Sequence, residues 1–360
     1  MTVWRLGATA LLGLVAISAR GQTLDLFTVG AFTESATFSV ANQLGFFTEQ
    51  GVNVTFSQIP NSTFGYANLL DGVVDLVIGT ADNPVNLRFN NDSALSIVGQ
   101  LDLGPDIIIA GISSITDIPS LRGKALMVDS PVSGYAFILR EVLSLFGLQL
   151  NTDYTFQVIG STPTRFENLI NQSLPDGTPT FGTILTYPFT VQGSALSPPL
   201  PILARISDFI APFFSSSLAI RTASANSSAS TPLVRTVSAL LAANQFLADP
   251  ANQNCSMLAI GAELGLSQDL AALEYASAIN PVSGEVSQAN FTVNTQGLLN
   301  VITTRMLSGG FAGAGSSFDF ADAIVPGDGK LIDYRVRDAA VGILKPRESG
   351  SPCDIGEGSV

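Results

Sequence analysis

The stretch Asp129-Ser130-Pro131-Val132-Ser133-Gly134 is a small polar turn between an apolar run, ALMV, and a helical pattern that opens at Ser133 and Gly134. A helix capped by Ser130 or Ser133 would present backbone N–H groups at the positive end of its dipole. Such a terminus holds a carboxylate, sulfonate or phosphate without any side-chain cation. The competing assignment for these residues is a plain N-cap with no ligand. Covalent chemistry is less accessible. The chain has no histidine, so neither a Ser-His-Asp triad nor a Cys-His nucleophile can be assembled. No G-x-S-x-G elbow occurs. The two cysteines, Cys255 and Cys353, cannot make a zinc site without histidine partners. Neither a metal nor a cofactor is expected. Paired carboxylates for glycoside cleavage would need a specific pair, and none stands out.

The elements that must position such residues are constrained by composition. The chain has 360 residues, 46% of them hydrophobic and 12% charged, against about 25% charged in ordinary globular chains. That length supports two lobes, each with a core. The surface must then rely on Ser, Thr, Asn and Gly. Net charge is −13, and Lys124, Lys330 and Lys345 are the lysines. With no basic face to neutralise phosphates, nucleic acid is excluded as a partner, and anionic membrane surfaces are disfavoured.

The first residues, MTVWRLGATALLGLVAISARGQ, place one Arg before a short apolar stretch and small residues suited to cleavage. This reads as a secretory signal peptide over 1–21. The competing assignment is a buried N-terminal helix. No later segment is long and apolar enough to span a bilayer, so stable membrane insertion is not expected. The C-terminal sequence lacks the hydrophobic tail of a GPI anchor. Seven N-x-S/T sequons, at Asn53, Asn61, Asn91, Asn171, Asn226, Asn254 and Asn290, suggest a secreted eukaryotic glycoprotein. Asn254 is set apart because a bridged Cys255 next to it would hinder modification. In an oxidising compartment Cys255 and Cys353 most simply pair, tying the tail to the body.

Along the chain, LDLFTV, VNVTFSQI, DLVIGT and LSIVGQL read as strands separated by helical segments. The first helix is expected over SATFSVANQLGFF. A second block follows with ALMV, the helix from Ser133, YTFQVIG, TPTRFENLINQ and FGTILTYPF. A Pro-rich connection, LSPPLPILARI, then precedes the strand FFSSSLAIRT. Three helices are evident beyond it. Strands alternating with helices predict an α/β fold with mainly parallel sheets and helices on both faces. SGGFAGAGSS at 308–317 has a G-x-x-G-x-G spacing but follows no strand, so it fails as a dinucleotide fingerprint.

Three segments carry a resemblance. ANQLGFFTEQGVNVTF (41–56), NLLDGVVDLVIGTADNP (68–84) and ISSITDIPSLRGKALMV (112–128), the last continuing into SGYAFILREVLSLFGL, stand in one order. That order resembles the type II periplasmic-binding-protein fold, in the branch of nitrate, sulfonate and taurine binding proteins and thiamine-pyrimidine-synthase-like proteins. The likeness holds from about 25 to 220 and fades in the helical C-terminal third. It implies two lobes around a cleft. Residues 22–112 and 213–340 would form the first lobe and 113–212 the second, followed by a tail over 341–360. Ligand contacts would come from turns at strand C-termini, as in other open α/β sheets. These are Phe32, Thr33 and Glu34; Ser62 and Thr63; Thr80 and Asp82; Ser130, Ser133 and Gly134; and Tyr187. A glycan at Asn61 would compete with the second of these turns.

The enzymatic branch of the fold depends on an active-site histidine and a cysteine-rich motif, and this chain has neither. The resemblance therefore implies a secreted, monomeric binding protein for a small organic molecule, without catalysis. An ABC transporter would be the partner if the source is bacterial. The alternatives are an extracellular interaction or cell-surface protein that keeps the fold without a ligand, and an enzyme related to pyrimidine synthesis. Acidic residues outnumber basic ones near the turns. Arg140 and Arg165 are expected to face solvent or carboxylates, so a neutral or amine-bearing solute suits the site better than a simple oxyanion.

Overall fold

The computed structural model describes residues 23–348 apart from 103, 105, 287–288 and 315–318, together with 350 and 353. The expected signal peptide lies outside the described residues. In chain order the first elements are β1 (Asp25–Ala31), α1 (Ala36–Gln43), α2 (Phe46–Glu49), β2 (Val52–Gln58), α3 (Ser62–Asp71), β3 (Leu76–Thr80), α4 (Asp82–Asn91) and β4 (Leu95–Gln100). Next come β5 (Ile108–Gly111), β6 (Lys124–Val128), α5 (Gly134–Leu145), β7 (Tyr154–Val158), α6 (Thr162–Ile170), β8 (Gly182–Leu185), α7 (Phe189–Ser194) and β9 (Ile202–Arg205). The chain continues with β10 (Ser216–Arg221), α8 (Pro232–Ala248), α9 (Gln253–Leu264), α10 (Gln268–Ala278), α11 (Thr295–Leu307), α12 (Phe320–Ile324) and α13 (Arg335–Gly342).

Two five-stranded sheets result, ordered β2-β1-β3-β10-β4 and β7-β6-β8-β5-β9. In the first, β10 runs antiparallel to both β3 and β4; in the second, β5 runs antiparallel to both β8 and β9. The other four strands of each sheet share one direction, as the alternation of strands and helices predicts. Each sheet with its helices makes one lobe. The chain passes between them twice, from Gln100 to Ile108 and from Arg205 to Ser216. The first passage lies ahead of the expected boundary at 112.

Local chemistry explains most boundaries. Ser35 accepts from the Phe38 N–H and caps α1. The single helix expected over 35–47 is two, because Gly45 sits at φ +75° and turns the chain into α2. Gly72, at φ +78°, ends α3. In β3 and β4 almost every residue is buried, as both faces of that sheet are covered. α8 is buried along most of its length, small polar residues included, and packs against α1 and α13.

Cys255 on α9 is bonded to Cys353, with Cα atoms 5.4 Å apart. Arg347 adds to this tie. It donates to the Leu44 carbonyl at 2.7 Å and stacks 4.1 Å from the Phe46 ring centroid. The bridge closes a loop of 98 residues. Replacing Cys255 by Ser is expected to lower unfolding free energy by about 2–4 kcal/mol, read as a lower urea midpoint. An unchanged midpoint would show that the tail adds nothing to the fold.

Candidate functional site

The two sheets face each other with strand ends converging on one cavity. Its first wall comes from Ala31, Phe32 and Thr33 after β1, Ile59 and Ser62 after β2, and Thr80 and Asn83 after β3. Ser216 joins them because β10 is antiparallel, and its first residue stands opposite Thr80 in register. The second lobe contributes Tyr135 from α5 and Thr186 and Tyr187 after β8. The enclosed volume is about 30 Å³, room for about two water molecules. It adjoins a wider recess of about 510 Å³ through Ser62, Tyr66 and Asn83, with Arg140, Arg305 and Gly310 on the far side.

Direct bonds join the lobes around this cavity. The Asp129 carboxylate, at the end of β6, accepts from both the N–H and the hydroxyl of Ser62, at 3.1 and 2.7 Å. Its other oxygen accepts from the Ser133 hydroxyl at 2.7 Å. Ser133 is the N-cap of α5 and accepts from the Ala136 N–H at 3.3 Å. The carboxylate thus meets the first N–H of α3 directly, where the helix dipole favours negative charge, and reaches α5 only through the hydroxyl of its cap. Thr63 donates to the Ser130 hydroxyl at 3.2 Å, and the Gly134 N–H donates to Asn83 Oδ1 at 3.3 Å. The helix terminus that the sequence offers to an external anion is therefore engaged by the protein's own groups.

Arg305 of α11 makes a further link. Its guanidinium donates to both Asp82 oxygens, with Nε to Oδ1 at 2.8 Å, and to the Val132 carbonyl of the second lobe at 2.8 Å. Three phenols complete the cavity. Burial pushes Tyr66, Tyr135 and Tyr187 above the usual tyrosine range, so all three stay protonated donors. The Tyr66 hydroxyl is buried beside the Ser217 side chain and makes no hydrogen bond of good geometry among the described residues. Phe32 and Tyr135 meet across the cleft with ring centroids 5.9 Å apart. Among the described residues no three acidic or cysteine side chains converge to hold a metal ion.

No family model and no curated protein matches the sequence. Solved structures do match the fold. The alkanesulfonate-binding protein SsuA of Xanthomonas axonopodis pv. citri superposes with a TM-score of 0.63 at 14% identity, over 80% of this chain and 93% of that one. The nitrate-binding protein NrtA of Synechocystis gives 0.62 at 13%, over 89% and 99%. A Candida albicans gene product that defines a new family with the generic periplasmic binding protein fold gives 0.60 at 14%, over 89% and 96%. The chain has the periplasmic-binding-protein fold.

Within that fold, Phe32, Thr33, Ser62, Thr80 and Tyr187 line the cavity as placed from sequence. Thr63 faces the outer recess. Asp82 is spent on Arg305, while Ser130, Ser133 and Gly134 form the seam between the lobes. Glu34 does not line the cavity; burial raises its carboxyl above the usual range. Tyr66, Asn83, Tyr135, Thr186 and Ser216 complete the wall. Tyr66 lies mid-helix in α3, where nothing but its position one turn past the N-terminus could have marked it. Arg165 departs from expectation: it neither faces solvent nor pairs with a carboxylate. Fully buried, it donates to the Gly160 and Ile184 carbonyls and to the Thr162 and Thr183 hydroxyls. Arg140 is half-buried and donates to the Ser308 carbonyl at 2.9 Å.

At Gly134 the two lobes leave no room for a side chain. A Cβ there would stand 2.4 Å from Thr80 Oγ1 and 2.9 Å from Asp82 Cβ. Gly134→Ala is expected to cost about 1–3 kcal/mol of closure by overpacking. Small-angle scattering would then give a larger radius of gyration than wild type. An unchanged scattering profile would mean that the seam gives way locally.

Proposed function

We propose that the protein captures a small organic molecule in the interlobe cavity and carries out no chemistry on it. The observation that carries this reading is the Tyr66 hydroxyl, buried without a well-formed hydrogen bond on a wall built by both lobes. A buried donor without an acceptor costs about 1–3 kcal/mol, and a solute oxygen or nitrogen would remove that cost. The wall is otherwise aromatic, hydroxylic and aliphatic, with protonated phenols and, among the described residues, no base beside a nucleophile, which supports binding over catalysis. The fold neighbours include alkanesulfonate-binding and nitrate-binding proteins. Here the Asp129 carboxylate occupies the α3 terminus and the α5 cap, so a neutral or amine-bearing solute suits the cavity better than an oxyanion. Uptake requires the lobes to part, a hinge motion open to two-lobed folds.

We infer in the same way a secreted glycoprotein. Asn53, Asn91, Asn171, Asn226 and Asn290 are all exposed. Asn61 is half-buried and its side chain accepts from the Phe64 N–H at 2.8 Å, beside the recess. A second reading, an extracellular interaction protein that keeps the fold without a solute, draws support from the small volume of the cavity and its direct lobe-to-lobe bonds.

Native mass spectrometry of protein purified from its own host separates the two. Capture predicts a stoichiometric bound mass; a bare chain mass there, and after incubation with metabolite extract, would overturn it. Tyr66→Phe sharpens the test. It removes a hydroxyl that makes no well-formed hydrogen bond, so the free protein should melt at the same temperature or slightly higher. Solute affinity should fall about tenfold, the worth of one hydrogen bond.

A further inference from the structure

Behind Tyr187, on the side away from the cleft, lies a second and smaller chamber that the cleft reading does not use. Asp102, Asp106, Glu274 and Glu285 line it together with Ser215, Ser277 and Gly284. Three of the carboxyls are almost fully enclosed, with Glu274 1%, Asp102 3% and Glu285 3% exposed. Of these, Glu274 and Asp102 each keep one oxygen, Glu274 Oε2 and Asp102 Oδ1, without a hydrogen-bond partner among the described residues.

Glu285, Asp106 and the second oxygen of Asp102 are engaged elsewhere. Glu285 accepts from the Ala36 and Thr37 N–H groups at 2.9 Å, at the start of α1. Asp106 accepts from the Thr190 and Ser277 hydroxyls at 2.6 and 2.8 Å. Asp102 Oδ2 accepts from the Ser216 N–H at 2.8 Å. Two carboxyl oxygens therefore line this space without a well-formed hydrogen bond among the described residues, and buried groups of that kind are costly unless something meets them.

The geometry points to an ammonium group as the ligand of this chamber: either free ammonium, or the terminal ammonium of an organic amine whose body lies in the cleft. Three considerations select it. The volume is about 10 Å³, enough for a single water-sized centre. The described residues bring no three acidic groups close enough to coordinate a metal directly, whereas an ammonium needs only acceptors at about 2.7–3.2 Å, spread around it. Finally, every titratable side chain lining it except Tyr187 is a carboxyl, and at pH 8 the Asp102 carboxyl, pushed up to about 7 by burial, has released its proton and accepts. Tyr187 lines both the chamber and the cleft, so the two lie on opposite sides of one side chain.

The chamber does not rest on the cleft reading, and the experiment keeps them apart. Melting temperatures are measured at pH 8 in ammonium chloride against sodium chloride of equal ionic strength. Wild type is compared with Glu274→Gln and Asp102→Asn, which keep the shape of each side chain. The expected result is a saturable rise of a few degrees with ammonium, lost in both variants. An equal rise in sodium chloride, or a rise that survives both substitutions, would overturn the proposal. Methylammonium and butylammonium identify the source. If free ammonium alone stabilises, the chamber is an ion site; if butylammonium also stabilises and Tyr66→Phe weakens it, the amine reaches in from the cleft. Failure of every cation leaves the bound mass expected in the cleft untouched.

Discussion

Arg305→Met is expected to lower the unfolding free energy by about 3–5 kcal/mol, because it strands a buried charge. The Arg305 and Asp82 side chains are 2% and 3% exposed. All five guanidinium donors are engaged. Nε and one Nη2 hydrogen go to Asp82, the other Nη2 hydrogen to Val132 O, and Nη1 to Asn86 Oδ1 and Gly310 O. The guanidinium carbon also lies 3.9 Å from the Phe137 ring centroid. Asp82 and Asn86 belong to the first lobe and Val132 and Phe137 to the second, so the loss falls on closure as well as on folding. Urea denaturation gives the magnitude. The double variant Asp82→Asn with Arg305→Met should recover much of the loss, since no charge is then left unpaired. If the double variant is as unstable as the sum of the singles, the pair does not act as a unit.

The second large effect is a stability that falls as pH rises. Burial pushes the Asp102 carboxyl up to about 7, and it also raises Glu274 and Glu285, each further raised by neighbouring acidic charge or held back by its N–H donors. Asp106 faces them from the same chamber. The unfolded chain releases these protons near pH 4, while the folded chain holds them. Between those values the native state binds more protons, so unfolding free energy drops with increasing pH. The stability is complete below about pH 4 and is lost as pH passes 7. For Asp102 alone, a rise of about three units corresponds to ~4 kcal/mol. Urea midpoints at pH 4.5, 6 and 8, in ammonium-free buffer, should decline in that order, and Asp102→Asn should flatten the decline. A midpoint that rises from pH 4.5 to 8 would contradict it.

What the sequence made legible was the periodic part. The alternation of strand and helix through β8 and the stop at Gly51 follow from apolar spacing and glycine placement. The turns after β1, β2, β3 and β8 were placed from the same pattern. Elements built by tertiary context were hidden. β9 lies within the Pro-rich LSPPLPILARI and is a four-residue edge strand, so no apolar run announces it. α9 contains Gly261 and shows little segregation of apolar residues, and α13 is short, with charged residues Arg335, Arg337 and Asp338 crowding its first turn. At the site, Ser216 was invisible because it begins an antiparallel strand, while the search rule looks at strand C-termini. The acidic chamber was hidden for a different reason. Asp102, Glu274 and Glu285 are far apart in the chain and look like ordinary surface charges until the fold encloses them.

Asp129 has a consequence for selectivity. Because its carboxylate already sits on the α3 terminus and the α5 cap, the resting protein acts as its own competing anion. On the reading proposed above, an external oxyanion would have to displace a carboxylate that the fold already holds 3.1 Å from the Ser62 N–H and 2.7 Å from its hydroxyl. Selection against simple anions would then come from occupancy by the chain itself, with no steric gate needed.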